Sequence, residues 1–291
     1  MSTIARTPRA LSIAGSDSGG GAGIQADLKA FVRCGVHGMS AITAITAQNT
    51  LAVDAVYGVP PEFVLAQVRA VVADIGVDAV KVGMLGSVET VHAVARALDE
   101  LPAETPVVLD PVMVSESGAR LLDDDAEIAL VGEILPRASV VTPNVAEARV
   151  LAGHAAHRPA DEQIEATLEG LEGEQGEAIG LARAILSLGP EIVVLTGGHR
   201  AQAVDLFLGR GAEAEQAVEI PGERYPDGAA HGSGCTHSSV LAAQLALGRE
   251  PLQAAFIARA LAGEAVANGL RDIGEGPGPV DVIGLARMRS S

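Results

Sequence analysis

The chain has 291 residues, is 48% hydrophobic and carries a formal net charge of -17. That length allows one large domain or two small ones, and the acidic balance excludes a nucleic-acid backbone or an anionic membrane surface as the main partner, because like charges repel. Trp is absent and aromatic residues make up only 2%, which removes a base-stacking platform for single strands.

No apolar run reaches the roughly 18 residues a membrane span needs. The N-terminal "MSTIARTPRALSIAG" leads into a Gly-rich turn and not into a small-residue cleavage site, so neither a transmembrane helix nor a signal peptide is expected. Two cysteines, Cys34 and Cys235, cannot build a disulfide framework and fit a reducing compartment. A soluble, cytoplasmic protein is expected. The basic residues are mostly Arg, and Lys29 and Lys81 are the only lysines.

In chain order, short apolar runs alternate with segments of helical period: "ALSIAG", "IQADLKAFVRCG", "MSAITAITA", "PPEFVLAQVRAVVADI", "DAVKVGML", "VETVHAVARALDE", "PVVLD", "DAEIALVGEIL", "SVVTPN" and "VAEARVLAG". This predicts βαβ units, a mostly parallel sheet and helices on both faces. Residues 158–188 are biased toward acids, which predicts an exposed helical surface with a break at "EGEQGE". After Gly189 come strand-like runs, "EIVVLTGG", "QAVDLFLG" and "EQAVEIPG", then two helices, "CTHSSVLAAQLALG" and "PLQAAFIARALAGEAVANGL". Neither a repeat nor a long linker divides the chain, so residues 1–291 read as one domain.

The strand-like runs end in polar or Gly-containing turns: Gln48-Asn49, Asp110-Pro111, Thr142-Pro143-Asn144 and Thr196-Gly197-Gly198. Open α/β sheets bind ligands outside the carboxyl ends of their strands, so these turns are candidate site segments.

The first Gly-rich stretch, "GSDSGGGAGIQAD" at 15–27, contains a G-x-G-x-x-A match. Three observations count against a dinucleotide fingerprint. "SDSGG" separates the expected strand end near Gly15 from Gly21. No acid lies between Asp27 and Asp54, where a ribose-binding carboxylate belongs. Asp27 itself falls early in the helix, where the dipole favours a carboxylate. A Walker loop fails as well, since Lys29 and Lys81 precede Ala30 and Val82 rather than a hydroxyl residue.

The second Gly-rich turn, "HGSGCTHSS" at 231–239, suits anions better. Gly232 and Gly234 permit close backbone approach, and the following helix aims its unpaired N–H groups into the loop. Such a device fits the charge on a transferring phosphoryl group. Cys235, in the first turn, reads either as a thiol activated by the dipole, acting as base or nucleophile, or as a small packing residue. Cys34, mid-helix, reads as core.

Together, "GSDSGGGAGIQADLKAF", "MSAITAITAQNT", "AVKVGML", "VVLDPVM", "TPNVAEA", "GGH" and "HGSGCTHSS" resemble, in order and approximate spacing, the hydroxymethylpyrimidine and phosphomethylpyrimidine kinases of thiamine biosynthesis, within the ribokinase-like superfamily. The likeness covers nearly the whole chain except an acidic insertion near 161–177. It implies a three-layer α/β/α domain with a mostly parallel central sheet and a small β lid, a homodimer, ATP and Mg²⁺, and a small-molecule pyrimidine substrate. The implied activity is two successive phosphorylations of 4-amino-5-hydroxymethyl-2-methylpyrimidine, first to the monophosphate and then to the diphosphate.

Carried over position by position, the resemblance implies that Asp27 and Gln48 anchor the aminopyrimidine, with the directional hydrogen bonds a flat heterocycle requires. Gly15, Thr46, Met84 and Val112 would line the ring, although Met84 and Val112 also fit plain core packing. Asn144 and Glu147 match an N-x-x-E motif and, with Asp110, would hold hydrated Mg²⁺ near the ATP phosphates. On residues alone that pair is a helix N-cap and capping box, which is compatible with function. Gly232, Ser233, Gly234 and Cys235 match the G-T-G-C transfer loop with Ser for Thr, and Cys235 is the candidate general base.

Thr196 and Gly198 fall in the nucleotide-phosphate segment. There many members read Lys-Gly-Gly-His and this chain reads Thr196-Gly197-Gly198-His199, so the phosphate lysine is missing. Lys81 is not assumed to replace it. Two alternatives remain at this point: a pyridoxal kinase, whose substrate is also a flat nitrogen heterocycle with a hydroxymethyl group, and a catalytically weak pyrimidine-binding regulator.

Overall fold

The computed structural model describes residues 6–114, 118, 120–156, 173–197, 203–210, 217–226 and 228–288. Within them lie the strands β1 (Arg9–Asp17), β2 (His37–Gln48), β3 (Val53–Gly58), β4 (Ala79–Val82), β5 (Val107–Leu109), β6 (Val140–Val141), β7 (Ile192–Leu195), β8 (Val204–Gly209) and β9 (Val218–Pro221). The helices are α1 (Gly23–Arg33), α2 (Pro61–Asp74), α3 (Val88–Asp99), α4 (Asp124–Ala129), α5 (Val145–Ala156), α6 (Gly173–Ser187), α7 (Ser233–Ala246), α8 (Pro251–Ala267) and α9 (Leu285–Met288).

All these strands join one sheet in the order β3-β2-β1-β4-β5-β6-β7-β8-β9. The pairs from β2 through β7 are parallel, whereas β3 at one edge and β8 and β9 at the other run antiparallel. The mostly parallel sheet expected from the alternating pattern is therefore present. The small β element is β3 paired with the distal half of β2, from Ala44 to Gln48.

Side chains alternate across a strand, so a strand covered on both faces feeds two cores. Leu11 and Ile13 of β1, with Leu109 and Val193, pack against Val68 of α2, Val94 of α3, Leu151 of α5 and Ile185 of α6. Ala10, Val108 and Val194 face the other way, onto Phe31 of α1, Val240 of α7 and Ala258 of α8. Local signals start the helices where they stand. Ser87 caps α3 by accepting the Thr90 N–H at 3.3 Å. Pro251 opens α8, where a missing N–H costs nothing.

Four local expectations are revised. β1 continues past Gly15 to Asp17, with a register shift between Ala14 and Ser16. Cys34 caps the end of α1 rather than lying mid-helix, and packs on the second core half-buried. Residues 173–177 of "EGEQGE" form the opening of α6 and not a break, because Ala178, Leu181, Ala182 and Ile185 bury one face of that helix. Its acidic side pairs with α5 through Arg149 and Glu177 at 2.8 Å. Residues 161–172 of the acidic insertion lie outside the described residues.

From β1 the chain moves outward to β2 on one side and then returns to β4 on the other. The sheet thus has its topological switch point between β1 and β4, where a crevice opens at the carboxyl ends.

Candidate active site

A cavity of about 490 Å³ occupies this crevice, a size suited to a small-molecule ligand. The ends of the parallel strands supply its floor: Asp17 at the end of β1, Met84 after β4, Asp110 after β5, Thr142 and Asn144 after β6, and Thr196 after β7.

The two Gly-rich turns meet at one rim. Asp17 accepts the N–H groups of Gly19, Gly21 and Ala22 at 2.7, 2.9 and 2.8 Å, and Nε2 of His231 lies 3.0 Å from its Oδ2. The glycines allow this contact. A Cβ on Gly21 would stand 2.2 Å from the His231 ring, and one on Gly232 would stand 1.8 Å from the Gly21 carbonyl oxygen. Gly232 also takes φ +85°, a left-handed conformation that favours glycine. Burial alone would raise the Asp17 carboxyl, yet His231 and the backbone donors hold it below its ordinary value.

Gly15, Thr46, Gln48, Met84 and Val112 all line the cavity. The Thr46 hydroxyl lies 2.9 Å from the Ser16 carbonyl and 3.1 Å from Gln48 Oε1. Gly15 approaches Met84 so closely that a Cβ would stand 3.1 Å from its sulfur. Met84 and Val112 are only half-buried; their neighbours Leu85 and Met113 are the core residues. Together these residues present apolar surface with amide and hydroxyl groups.

Asp27, expected among them, is not there. It is the fifth residue of α1, beyond the first turn, and fully buried beneath the floor. The hydroxyls of Ser12 and Ser239 donate to it at 2.6 and 2.7 Å, and Lys81 Nζ lies 3.1 Å from both of its oxygens. Its inward helical face makes it the partner of a buried ammonium and withdraws it from any cavity ligand. Lys81 does line the cavity. Burial opposes its charge, but Asp27 and the other negative groups nearby outweigh that effect and hold its pKa above the ordinary value.

Across the floor, Asp110 accepts from Ser238 Oγ at 2.9 Å and lies 3.7 Å from Lys81. Burial raises its pKa despite both partners. Asn144 and Glu147 form the reciprocal capping box anticipated from their spacing, each accepting the other's backbone N–H at 2.9 Å. Burial, reinforced by the charge of Asp110, pushes the Glu147 carboxyl up to about 8.

Gly232, Ser233, Gly234 and Cys235 bring the amino end of α7 to line the cavity. The helix position does not lower the Cys235 pKa as expected. Burial pushes the thiol up to about 12, the negative charges of Asp110 and Asp27 add to it, and Lys81 only partly offsets them.

Thr196 lines the cavity with its hydroxyl 3.4 Å from the Pro143 carbonyl. Gly198 and His199 lie outside the described residues. The next N–H, that of Gly197, donates to Asp205 Oδ1 at 2.9 Å, and a Cβ there would fall 1.9 Å from the Val204 carbonyl oxygen. Fully buried Asp205 lies 3.3 Å from His237 Nε2 and 3.6 Å from Arg259 Nη1. Burial would raise its pKa, but His237, Arg259 and the Gly197 N–H hold it low.

Sequence reasoning missed Asp17, His231, Lys81, Asp205, His237 and Arg259. Two of them left a signal: Asp17 is an acid before small residues in a Gly-rich turn, and Lys81 is a charge inside an otherwise apolar strand. Among the described residues, no group of three or more His, Cys, Asp and Glu side chains is placed to hold a metal ion. No described helix is long and apolar enough to cross a membrane.

The model of the family described as phosphomethylpyrimidine kinase matches residues 17–281. A hydroxymethylpyrimidine/phosphomethylpyrimidine kinase of Rhizobium meliloti (strain 1021) is 45% identical over 277 residues, covering 94% of this chain and 96% of the relative. The crystal structure of the Clostridium difficile 630 phosphomethylpyrimidine kinase is 36% identical and superposes with a TM-score of 0.71, covering 89% of this chain and 99% of that one. Staphylococcus aureus pyridoxal kinase in complex with AMP-PCP and pyridoxal superposes with a TM-score of 0.80 at 29% identity, covering 97% and 96%. The fold is shared with both kinases, whereas sequence identity is higher to the pyrimidine enzymes. The chain belongs to the phosphomethylpyrimidine kinase family and is, like that family, a phosphotransferase using ATP.

Proposed function

We propose that this chain transfers the γ-phosphoryl group of ATP to the hydroxymethyl oxygen of 4-amino-5-hydroxymethyl-2-methylpyrimidine, and then phosphorylates the resulting monophosphate to the diphosphate, in thiamine biosynthesis. The observation that carries this reading is one cavity lined both by apolar groups suited to a flat ring and by the amino end of α7. Against the alternatives of a regulator and a pyridoxal kinase, the curated relatives are named as kinases of the pyrimidine substrate and match at higher identity than the pyridoxal kinase.

In this reading the ring lies against Gly15, Met84 and Val112, with Thr46 and Gln48 supplying the polar contacts first divided between Gln48 and Asp27. The hydroxymethyl oxygen attacks phosphorus as the bond to ADP breaks; the hydroxyl proton is released to solvent and ADP leaves with the bonding pair. Phosphoryl transfer depends mainly on positioning and charge stabilisation. The N–H groups of the Gly232–Cys235 turn meet the charge on the transferring group. A thiol at about 12 is a poor base near neutral pH, so Cys235 acts as a neutral part of this turn.

Asp110, Asn144, Glu147 and Thr196 face the nucleotide phosphates. Hard oxygens at Asp110 and Glu147 would suit Mg²⁺ kept largely hydrated. When bound, the ion neutralises phosphate charge.

We also propose a homodimer joined at β3. Ile45 and Tyr57 sit opposite one another on β2 and β3, 50% and 69% exposed, an apolar cross-strand pair suited to a second copy. Light scattering should give a dimer mass that Tyr57→Glu reduces.

Purified protein with ATP and Mg²⁺ should release ADP and convert the pyrimidine alcohol to its diphosphate, resolved by ion-exchange chromatography. Tight ATP binding with turnover of neither pyrimidine, or a higher kcat/KM for pyridoxal, would overturn the assignment.

A further inference from the structure

The buried ammonium of Lys81 has no place in the transfer chemistry described above, yet it is built into the floor of the site. Lys81 lies on β4, all four residues of which are buried. Its side chain runs along the strand over Gly83, where a Cβ would stand 2.7 Å from Nζ. Glycine at that position therefore lets the ammonium reach the carboxyl end of the sheet.

There it meets two carboxylates from different elements. Both Asp27 oxygens are 3.1 Å away, and Asp110 Oδ2 is 3.7 Å away. Successive serines of α7 hold the same two acids: Ser238 donates to Asp110 at 2.9 Å and Ser239 to Asp27 at 2.7 Å. Ser12 of β1 completes the shell of Asp27 at 2.6 Å. One cation thus connects α1, β4, the end of β5 and the second turn of α7. Asp27 is enclosed and makes no contact with the cavity, whereas Asp110 lines it. The shorter contacts mark Asp27 as the tether that aims Lys81 at Asp110.

We infer that Lys81 is a positioning residue for phosphoryl transfer: tethered by Asp27, it holds Asp110 against Ser238 and so sets the distance between that carboxylate and the amino end of α7. The inference rests on the reading of Asp110 and the α7 turn as the transfer site. Misplacement by about 1 Å at such a site costs on the order of 100-fold in rate.

The test compares kcat and KM of Lys81→Met/Asp27→Asn, Ser238→Ala and Asp110→Asn with the parent. The double variant removes the cation and its tether together, so neither is left as an uncompensated buried charge. Its kcat should fall about 100-fold while KM for the pyrimidine alcohol stays within about 3-fold. Ser238→Ala, a mild change in a helix, should lower kcat about 10-fold at constant KM and carries the test if the double variant does not fold. Parent-like kcat in the folded double variant overturns the inference and leaves Lys81 as the counter-ion of Asp27; parent-like kcat in Ser238→Ala does the same where the double variant fails to fold. Parent-like kcat in Asp110→Asn instead removes the site reading beneath it.

Discussion

Asp17 and His231, 214 positions apart in sequence, lie 3.0 Å apart and fasten the two Gly-rich turns to each other. The first turn wraps its N–H groups around Asp17, and the second begins at His231 and runs into the amino end of α7. The first turn and the turn proposed for phosphoryl transfer therefore share one anchor.

That anchor should be visible in stability against pH. The Asp17 carboxyl titrates below its ordinary 3.8 in the fold, so its contribution is complete above that value and is lost as pH falls through the lower folded value. Asp17→Asn should cost about 2–3 kcal/mol at pH 7. The gap to the parent should narrow as pH falls below 3.8 toward the lower folded value. Urea unfolding across pH 3–7 measures it, and a gap independent of pH would contradict the account.

Gly232→Ala tests the packing of the same turns. A Cβ would sit 1.8 Å from the Gly21 carbonyl, and φ +85° disfavours any L side chain. Displacing the turn should lower kcat by about 100-fold or more. Gly234, where a Cβ meets nothing within 4 Å, is the control: Gly234→Ala should leave the thermal midpoint close to that of the parent.

The thiol of Cys235 gives a chemical readout. With a pKa of about 12, its thiolate fraction at pH 8 is about 1,000-fold below that of a thiol titrating near 9, and iodoacetamide alkylation should slow accordingly. Cys235→Ala and Cys235→Ser should each lose less than the 100-fold or more expected on removal of a general base. Larger losses in both would restore the base role.

Glu147→Gln separates the capping box from charge. The amide can still accept the Asn144 N–H, so the thermal midpoint should hold, whereas Asn144→Ala should cost about 1 kcal/mol. The Mg²⁺ concentration needed for half-maximal rate should rise about 10-fold in Glu147→Gln. An unchanged Mg²⁺ requirement would leave Glu147 purely structural.

Thr196→Lys supplies the charge that the family resemblance leads one to expect there. Because Thr196 lines the cavity, KM for ATP should fall about 3- to 10-fold, equivalent to roughly 1 kcal/mol of added phosphate binding. A higher KM would show that the segment is arranged around its neutral residue.

Local chemistry was legible in the chain itself. Alternating apolar runs determine the parallel sheet, the N-x-x-E spacing determines the capping box of Asn144 and Glu147, and the glycines before Cys235 determine where α7 starts. Motif order also brought Gly15, Thr46, Gln48, Met84, Val112, Asp110 and Thr196 to one site, because strand ends in such a sheet converge. Only the tertiary structure decided which charge faces which. Asp27 turned inward because its helix face lies over Lys81, and the dipole effect at Cys235 lost to desolvation. Electrostatic energies of buried groups depend on partners distant in sequence, from Lys81 beside Asp27 to His231 beside Asp17, and no local pattern encodes those distances.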